Sequence, residues 1–299
     1  MARIERTHSG SNPGAPEALL TNKHRVPARI GLIGGGNMAA SLIGGLVADG
    51  YTPDLIQVSD PEPEKLAHLS AHFGVRSAEN NLAAAQDAEV LVLAVKPQIL
   101  RNVCHELREQ VQSRRPLIIS IAAGVREEFL QDWLGGGIPP VRAMPNTPAM
   151  IQAGATVLHA GSWVSADQRN LAESILRAVG LTRWARQEPE MDAVTALSGS
   201  GPAYFFLVME SMEQAGLDLG LAPETARLLT LQTALGAARM AMESSESPAN
   251  LRQRVTSPGG TTERALAVLE QGHLRDLFKQ ALTAARNRSQ ELAERLGAG

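Results

Sequence analysis

The stretch Ala28-Arg-Ile-Gly-Leu-Ile-Gly-Gly-Gly-Asn-Met-Ala-Ala40 decides the fold of this chain. Apolar residues at positions 30–33 predict a short buried strand, and the glycines after them predict a tight turn. From Asn37 onward, apolar residues recur at helical spacing until Gly50, where we expect the helix to end. A strand, a glycine turn and a helix in this order are typical of the dinucleotide-binding unit of a Rossmann fold.

The turn itself matches the dinucleotide fingerprint as Gly34-x-Gly36-x-x-Ala39. In that pattern Gly34 makes the turn, Gly36 lets the backbone approach a pyrophosphate, and the small Ala39 lets helix and strand pack closely. The helix N-terminus would offer free N–H groups and a partial positive charge to the pyrophosphate. An ordinary glycine turn is the alternative, but the flanking elements and the acidic Asp60 beyond the next strand agree with nucleotide binding.

The composition narrows the class of protein. The 299 residues are 44% hydrophobic, which is enough chain for about two domains with a sizeable core. The net charge of −3 gives no electrostatic reason to expect nucleic acid or an anionic membrane as a partner.

Three further features bear on compartment and metal content. The single cysteine, Cys104, cannot support a disulfide framework, which favours a cytoplasmic protein. Residues 1–27 are polar, contain prolines and have no apolar core of a signal peptide, so we expect a disordered tail. His68 and His72 stand four apart, as zinc ligands can, but no third ligand has suitable spacing. We therefore expect an exposed helix face there and no metal.

Alternating strand and helix patterns over residues 28–186 predict an α/β domain of the Rossmann type. Its second strand, residues 55–60, ends in Asp60, about 20 positions after the fingerprint, where a carboxylate accepts hydrogen bonds from an adenosine ribose. Such a carboxylate favours NAD over NADP, because it would repel the 2′-phosphate. The equally weighted alternative is that Asp60 caps the next helix, and the two roles are compatible.

Two later strands of this domain end in residues that suit a ligand site. The apolar run over 90–95 predicts a central strand buried on both faces, and Lys96 follows it at the carboxyl edge, where side chains point into the ligand crevice. A solvated loop lysine is the alternative. The strand over 116–124 ends in Ala122-Ala123-Gly124, which leaves room for a ligand against the backbone.

From residue 187 to residue 299 the chain is rich in alanine, leucine and methionine and predicts an all-α second domain. A long helix over 223–242 is apolar around much of its circumference, so it needs cover from a partner subunit or from its own domain. The segments 198–202 (Ser-Gly-Ser-Gly-Pro) and 255–262 (Val-Thr-Ser-Pro-Gly-Gly-Thr-Thr) are rich in glycine and hydroxyls and precede helices. They would present N–H groups and hydroxyls to a carboxylate, or they are ordinary turns with serine or threonine caps.

Six motifs occur in order along the chain, and together they resemble the pyrroline-5-carboxylate reductase family, which catalyses the last step of proline biosynthesis. They are Gly34-Gly-Gly-Asn-Met-Ala39, Ala94-Val-Lys-Pro-Gln98, Ala122-Ala-Gly124, Arg142-Ala-Met-Pro-Asn-Thr-Pro148, Leu197-Ser-Gly-Ser-Gly-Pro-Ala-Tyr204 and Val255-Thr-Ser-Pro-Gly-Gly-Thr-Thr262. The resemblance covers residues 29–292, and the segment before Ala28 is the main departure. It implies a Rossmann domain, a helical dimerisation domain, and assembly of dimers into a larger ring. It also implies reduction of the cyclic imine 1-pyrroline-5-carboxylate to L-proline with NADPH or NADH.

The resemblance further implies residue roles. The cofactor would contact Ile33, Gly34, Gly35, Gly36, Asn37, Met38, Ser59, Asp60, Asn81, Ala94, Val95, Lys96, Pro97, Ala122, Ala123 and Gly124. The substrate carboxylate would lie on Ser257, Gly260, Thr261 and Thr262. Candidate catalytic residues would be Thr262, whose hydroxyl would face the ring nitrogen, and Lys96, on the path to the nicotinamide. Glu188, at the domain junction, would lie near the substrate.

Two other functions fit part of the sequence. A β-hydroxyacid dehydrogenase also combines a Rossmann and a helical domain, but it needs a lysine in a helix of the second domain. From residue 187 onward the only lysine is Lys279, which lies outside both glycine-rich segments. A non-catalytic dinucleotide sensor would need the fingerprint but neither of the substrate-like segments, so their joint presence disfavours it.

Overall fold

The apolar run of the fingerprint region forms β1 (Ile30–Ile33), an interior strand of an eight-stranded sheet in the computed structural model, which describes residues 28–297. The other strands of this part of the chain are β2 (Ile56–Ser59), β3 (Arg76–Ser77), β4 (Val90–Leu93), β5 (Leu117–Ser120), β6 (Pro140–Met144), β7 (Gly154–Ala160) and β8 (Gly180–Trp184). Their order across the sheet is β3-β2-β1-β4-β5-β6-β7-β8, and neighbours run parallel apart from the antiparallel pair β6 and β7. The predicted disordered tail, residues 1–27, lies outside the described residues.

Helices lie on both faces of this sheet, because each parallel connection must cross over the sheet. They are α1 (Asn37–Ala48), α2 (Pro63–Phe73), α3 (Asn81–Ala85), α4 (Pro97–Arg114), α5 (Glu127–Leu134) and α6 (Ala166–Arg177). Strands β1, β4 and β5 are buried along their whole length. One apolar cluster joins the sheet to α1 and α6, and a second joins it to α4 and α5. Each buried leucine or isoleucine contributes about 1.5–3 kcal/mol, so these clusters hold the layers together.

The predicted α/β architecture is confirmed, and the predicted strands and helices of this half lie within a few residues of the observed ones. Strand β3 and helix α5 were not predicted. Strand β3 has only two residues, too few to show a period of two. Helix α5 has only eight residues. Its C-cap residue is Gly135, whose φ of 94° is the left-handed conformation that glycine tolerates best. The carboxyl ends of β1, β2, β4 and β5 meet at one edge of the sheet, where a doubly wound fold binds its ligand.

The second half is helical, as predicted. Its helices are α7 (Glu190–Val194), α8 (Gly201–Asp218), α9 (Pro223–Glu243), α10 (Pro248–Arg254), α11 (Thr261–Gln271) and α12 (Leu274–Gly297). Between residues 28 and 297, no helix combines the length and apolar character needed to cross a membrane. The predicted domain boundary between residues 186 and 187 falls in the connection from β8 to α7 and stays a prediction.

Large apolar side chains of α8 and α9 face outward. Phe206 of α8 is 62% exposed and Leu229 of α9 is 55% exposed, and within the described residues only Ala226 and Thr230 of α9 are buried. The alternative that α9 is the core helix of its own domain is therefore wrong. An exposed apolar face of this extent is typical of a surface that another protein chain covers.

The segment 198–202 is not an open loop. Residues Thr195–Gly199 form a π-helical turn that leads through Ser200 into α8, and the Ser200 N–H donates to the Thr195 carbonyl at 2.8 Å. A Cβ on Gly199 would collide with Met144 Cε, so this turn packs closely on the end of β6. The prediction that this segment presents free N–H groups to a carboxylate is wrong, because its backbone is engaged within the helix.

Candidate active site

The glycine turn has the geometry that a pyrophosphate requires. Gly34 has a φ of 102°, and a Cβ there would lie 2.7 Å from the Ala94 carbonyl oxygen, so only glycine fits between β1 and β4. A Cβ on Gly36 would meet nothing within 4 Å, and Gly36 starts α1 without a side-chain cap. No side chain caps the first N–H groups of α1, and the surface next to Gly36 is open. Both features suit the phosphates of a dinucleotide. Asn37 and Met38 are the first two residues of α1 and lie beside that surface.

Asp60 ties the glycine turn to the end of β2. Its Oδ2 accepts a 2.7 Å hydrogen bond from the Gly35 N–H, and its Oδ1 accepts one of 2.9 Å from the Glu62 N–H. The side chain is only 7% exposed and lies 3.8 Å from the Lys65 ammonium group. The alternative that Asp60 caps α2 is wrong, because the N-cap residue is Glu62 and no side chain caps this helix; Asp60 instead holds the backbone of the N-cap residue. Each carboxylate oxygen has a second lone pair, so acceptance of a ribose hydroxyl is compatible with these bonds and stays a prediction.

The other residues predicted to meet the adenosine end lie close to Asp60. The Ser59 hydroxyl at the end of β2 donates to Asn81 Oδ1 at 2.8 Å, and Asn81 Nδ2 donates to Glu106 Oε2 at 2.8 Å. Asn81 is the first residue of α3, and Asn80 is its N-cap, with a side chain that accepts from the Ala83 N–H. These hydrogen bonds fix the positions of the polar side chains of Ser59, Asn81 and Glu106 next to the glycine turn.

The residues predicted to line the nicotinamide path lie after β4 and β5, at the same edge of the sheet. The Ala94 N–H donates to the Ile33 carbonyl at 2.8 Å, which holds the end of β4 against β1. Lys96, the N-cap residue of α4, is exposed at this edge, so its position fits both alternatives, ligand contact and solvation. Val95 and Pro97 flank it and are half-buried.

The segment predicted to bind the substrate carboxylate lies at the start of α11. Thr261 and Thr262 are the first two residues of that helix, Gly260 is its N-cap, and the Gly260 N–H donates to the Ser257 carbonyl at 3.0 Å. Ser257 and Thr261 are exposed, and Thr262 is half-buried. Among the hydrogen bonds of residues 28–297, none joins this segment to the residues of the dinucleotide site. The chain therefore presents two half-sites.

No metal site accompanies these residues in the part of the chain that the structure describes, where no group of three or more His, Cys, Asp or Glu could hold an ion. His68 and His72 lie on the exposed face of α2, and their rings stack with centroids 4.9 Å apart.

Comparison with known proteins identifies the family. Residues 188–292 match a family model described as pyrroline-5-carboxylate reductase dimerisation, and residues 29–124 match one described as NADP oxidoreductase coenzyme F420-dependent. The pyrroline-5-carboxylate reductase of Pseudomonas aeruginosa is 52% identical over 269 residues, which cover 90% of this chain and 98% of that protein. The chain belongs to the pyrroline-5-carboxylate reductase family. This membership decides against a β-hydroxyacid dehydrogenase.

Solved structures agree with membership of the pyrroline-5-carboxylate reductase family. The pyrroline-5-carboxylate reductase of Coxiella burnetii is 51% identical and superposes with a TM-score of 0.86, covering 90% of this chain and 99% of that one. The pyrroline carboxylate reductase of Plasmodium falciparum, solved with NADP bound, is 28% identical with a TM-score of 0.80, covering 89% and 98%. The Rossmann domain and the helical dimerisation domain predicted from the motifs are thus confirmed.

A largely buried cluster of ionisable side chains around Arg142 was not predicted from the sequence. Arg142 Nη1 lies 2.6 Å from Glu188 Oε1, and the same oxygen accepts a 2.6 Å hydrogen bond from the Glu127 N–H at the start of α5. The Glu127 carboxylate in turn lies 3.6 Å from His159 Nδ1. The available signal was a charged residue, Arg142, inside an otherwise apolar strand, because buried arginine needs a partner.

Burial shifts the pKa values in this cluster. It raises the pKa of Glu127 above its ordinary value, and the neighbouring Glu188 carboxylate raises it further. The Gly161 N–H and nearby guanidinium groups oppose that rise. Burial lowers the pKa of His159, so this imidazole is neutral at neutral pH, and its Nδ1 has no hydrogen-bond partner among the described residues.

Proposed function

We propose that this chain reduces 1-pyrroline-5-carboxylate to L-proline with NADPH or NADH as reductant. When bound, the nicotinamide supplies the hydride. The observation that carries the proposal is the alignment of nearly the whole chain with a pyrroline-5-carboxylate reductase at 52% identity. The open glycine turn and the uncapped start of α1 support dinucleotide binding independently of that alignment.

The dinucleotide would be held mainly by backbone. Gly34 to Met38 would take the pyrophosphate on free N–H groups, and Ser59, Asp60 and Asn81 would meet the adenosine end. The small residues Ala122 to Gly124 and the Ala94-to-Pro97 segment would leave the nicotinamide room at the carboxyl edge. The Asp60 carboxylate would disfavour a 2′-phosphate, whereas the nearby Lys65 ammonium group would attract one.

The substrate would bind through its carboxylate. Ser257, Gly260 and the first residues of α11 would receive that group, since a helix N-terminus attracts an anion. The Thr262 hydroxyl would face the ring nitrogen, and Lys96 and Glu188 would lie near the reacting ring. An imine is basic enough to be protonated in water, so these residues need to bind and orient an iminium ion and need no strong acid.

The two half-sites would be completed by dimerisation. Residues 28–186 would form the dinucleotide-binding domain, and residues 187–299 would form the substrate and dimerisation domain. The exposed apolar faces of α8 and α9 support self-association through the helical domain, and the match of residues 188–292 to a dimerisation model supports it too. We further propose that dimers assemble into a ring and that the enzyme works in the cytoplasm.

Steady-state kinetics test the proposal. Purified protein is mixed with 1-pyrroline-5-carboxylate and either NADH or NADPH, and nicotinamide absorbance and proline formation are followed. We expect turnover with proline as the product, and the ratio of the two rates decides the effect of Asp60. Folded protein that binds a dinucleotide but shows no turnover with either cofactor would instead be a dinucleotide sensor.

A further inference from the structure

The loop 122–124 lies between β5 and α5. Residues from the second half of the chain contact this connection at two places, the start of α5 and the loop itself. The loop is short, and Gly124 within it has a φ of 76°, a left-handed conformation that glycine adopts without strain. Under the proposed function this loop lines the nicotinamide. Its position therefore affects how donor and acceptor carbons face each other.

On one side, the Glu188 carboxylate anchors the start of α5, three residues beyond the loop. Oε1 of Glu188 accepts from the Glu127 N–H and from Arg142 Nη1, each at 2.6 Å. A carboxylate at this place stabilises the first turn of a helix through the uncompensated N–H groups. Charge-assisted bonds of this length are stronger than neutral ones, so the contact fixes the helix start.

Among the described residues, Arg142 is the only residue of the sheet that donates a hydrogen bond to the Glu188 carboxylate. It lies in the middle of β6, opposite Ser120 of β5 and His159 of β7. Its side chain is 9% exposed, whereas that of Glu188 is 25% exposed. A guanidinium group buried to this degree in a strand costs free energy unless it is paired, and Glu188 is its partner.

On the other side, α12 packs on the loop itself. A Cβ on Gly124 would lie 3.6 Å from the Ala293 nitrogen and 3.8 Å from Leu292 Cβ, so the helix backbone rests against the loop. The buried Ser289 hydroxyl of α12 donates to Asp192 Oδ1 of α7 at 2.6 Å. Asp192 follows Glu188 closely in sequence, so one segment of the chain connects both contacts.

We infer that Arg142 is a positioning residue of the reductase: by pairing with Glu188 it fixes the start of α5 and the Ala122–Gly124 loop, and through them the orientation of the nicotinamide. This inference rests on the proposed function. Arg142 acts through Glu188 and the loop, so its loss should slow the hydride-transfer step more than it weakens cofactor binding. Displacement of reacting groups by about 1 Å, even from a distant mutation, can cost about 100-fold in rate.

The test is single-turnover stopped flow with enzyme in excess over 1-pyrroline-5-carboxylate and saturating NADPH. The enzyme concentration is raised until the observed first-order rate constant no longer increases, because this limiting value does not depend on the folded fraction. We expect Arg142→Met to lower this rate constant by about 10-fold or more, with little change in the NADPH dissociation constant. Arg142→Lys keeps the charge and should restore part of the rate.

A double-mutant cycle tests the route of the effect. If Arg142 acts through Glu188, Arg142→Met should slow the reaction much less in a Glu188→Gln background than in the unmodified protein. Glu173→Gln is the matched control: Glu173 is also a partly buried, hydrogen-bonded carboxylate, but its partners are Thr182, Trp184 and Arg177. It should shift only the melting temperature.

An unchanged limiting rate constant in both Arg142 variants, with only a reduced melting temperature, would overturn this inference and leave the proposed function intact. Equal slowing by Arg142→Met in both backgrounds would overturn it as well. If Arg142→Met does not fold, Arg142→Lys and the Glu188→Gln cycle built on it decide by the same criteria. Absence of turnover by the unmodified protein would overturn the proposed function and this inference with it.

Discussion

The Gly35 N–H donates a 2.7 Å hydrogen bond to Asp60 Oδ2, which joins the glycine turn after β1 to the end of β2. A second bond, from the Glu62 N–H to Oδ1, holds the carboxylate from the other side. Asp60 thus organises the backbone that would bind the pyrophosphate, besides any contact with the ribose. Removing the Asp60 carboxylate and replacing it with a neutral amide should therefore change the affinities for NADH and NADPH in different ways.

Asp60→Asn should raise the affinity for NADPH relative to NADH, because the amide oxygen keeps one acceptor while the repulsive charge is lost. Asp60→Ala removes both acceptors and leaves the Gly35 N–H unpaired, which costs about 1–3 kcal/mol and should weaken both cofactors. Dissociation constants from nicotinamide fluorescence titration check this. The exposed Glu62→Gln variant is the control, and a uniform loss in Asp60→Asn would contradict the charge effect.

Thr262→Ala should lower turnover by about 10-fold or more while NADPH and NADH still bind, if the hydroxyl supports the ring nitrogen in the transition state. The measurement is kcat, KM for the imine and the cofactor dissociation constant. Thr256→Ala is a matched control, because the Thr256 hydroxyl in the same segment donates to the Arg252 carbonyl. Unchanged turnover in Thr262→Ala would remove this residue from the mechanism.

Much of the fold could be predicted because its signals are local. Short apolar runs marked β1 and β4, which the structure buries along their whole length. The glycine turn was predicted because Gly34 and Gly36 occupy the fingerprint positions between an apolar run and a helical pattern. Local chemistry and local geometry agree in these segments.

The rest depends on contacts between distant segments, which no local pattern shows. Arg142 and Glu188 are separated by 46 positions, and Ser289 and Asp192 by 97. The buried charge of Arg142 demands a partner, but nothing in the strand says which carboxylate supplies it. The π-helical turn was missed because Ser-Gly-Ser-Gly-Pro is also typical of a loop, whereas residues 195–199 continue directly from α7.

Leu229→Asp should break self-association and abolish turnover. Leu229 lies on the outward apolar face of α9, and a carboxylate buried there without a partner costs several kcal/mol by order of magnitude. Light scattering after size exclusion gives the subunit count, and the same fractions are assayed. The exposed Glu109→Lys variant on α4 is the control. A fully active monomer would show that one chain contains the complete site.

The neutral His159 should make stability fall as the pH drops below the imidazole's unfolded value. Burial lowers the pKa of folded His159 below the ordinary value of about 6.5, so in the window between the two values the unfolded chain binds more protons. Unfolding free energy therefore decreases as pH falls through that window and levels off below it. The raised pKa of Glu127 has the opposite sign: above its ordinary value of about 4.3, stability falls as pH rises towards the folded value.

His159→Gln removes the imidazole titration and should flatten the dependence of unfolding free energy on pH in the window just below about 6.5. Denaturant unfolding at a series of pH values from about 7.5 to about 5 measures the slope directly. His72→Gln, on the exposed face of α2, should keep the slope of the unmodified protein. An identical slope in His159→Gln would mean that other groups bind the protons, whereas a slope of opposite sign would mean that the Glu127 titration dominates.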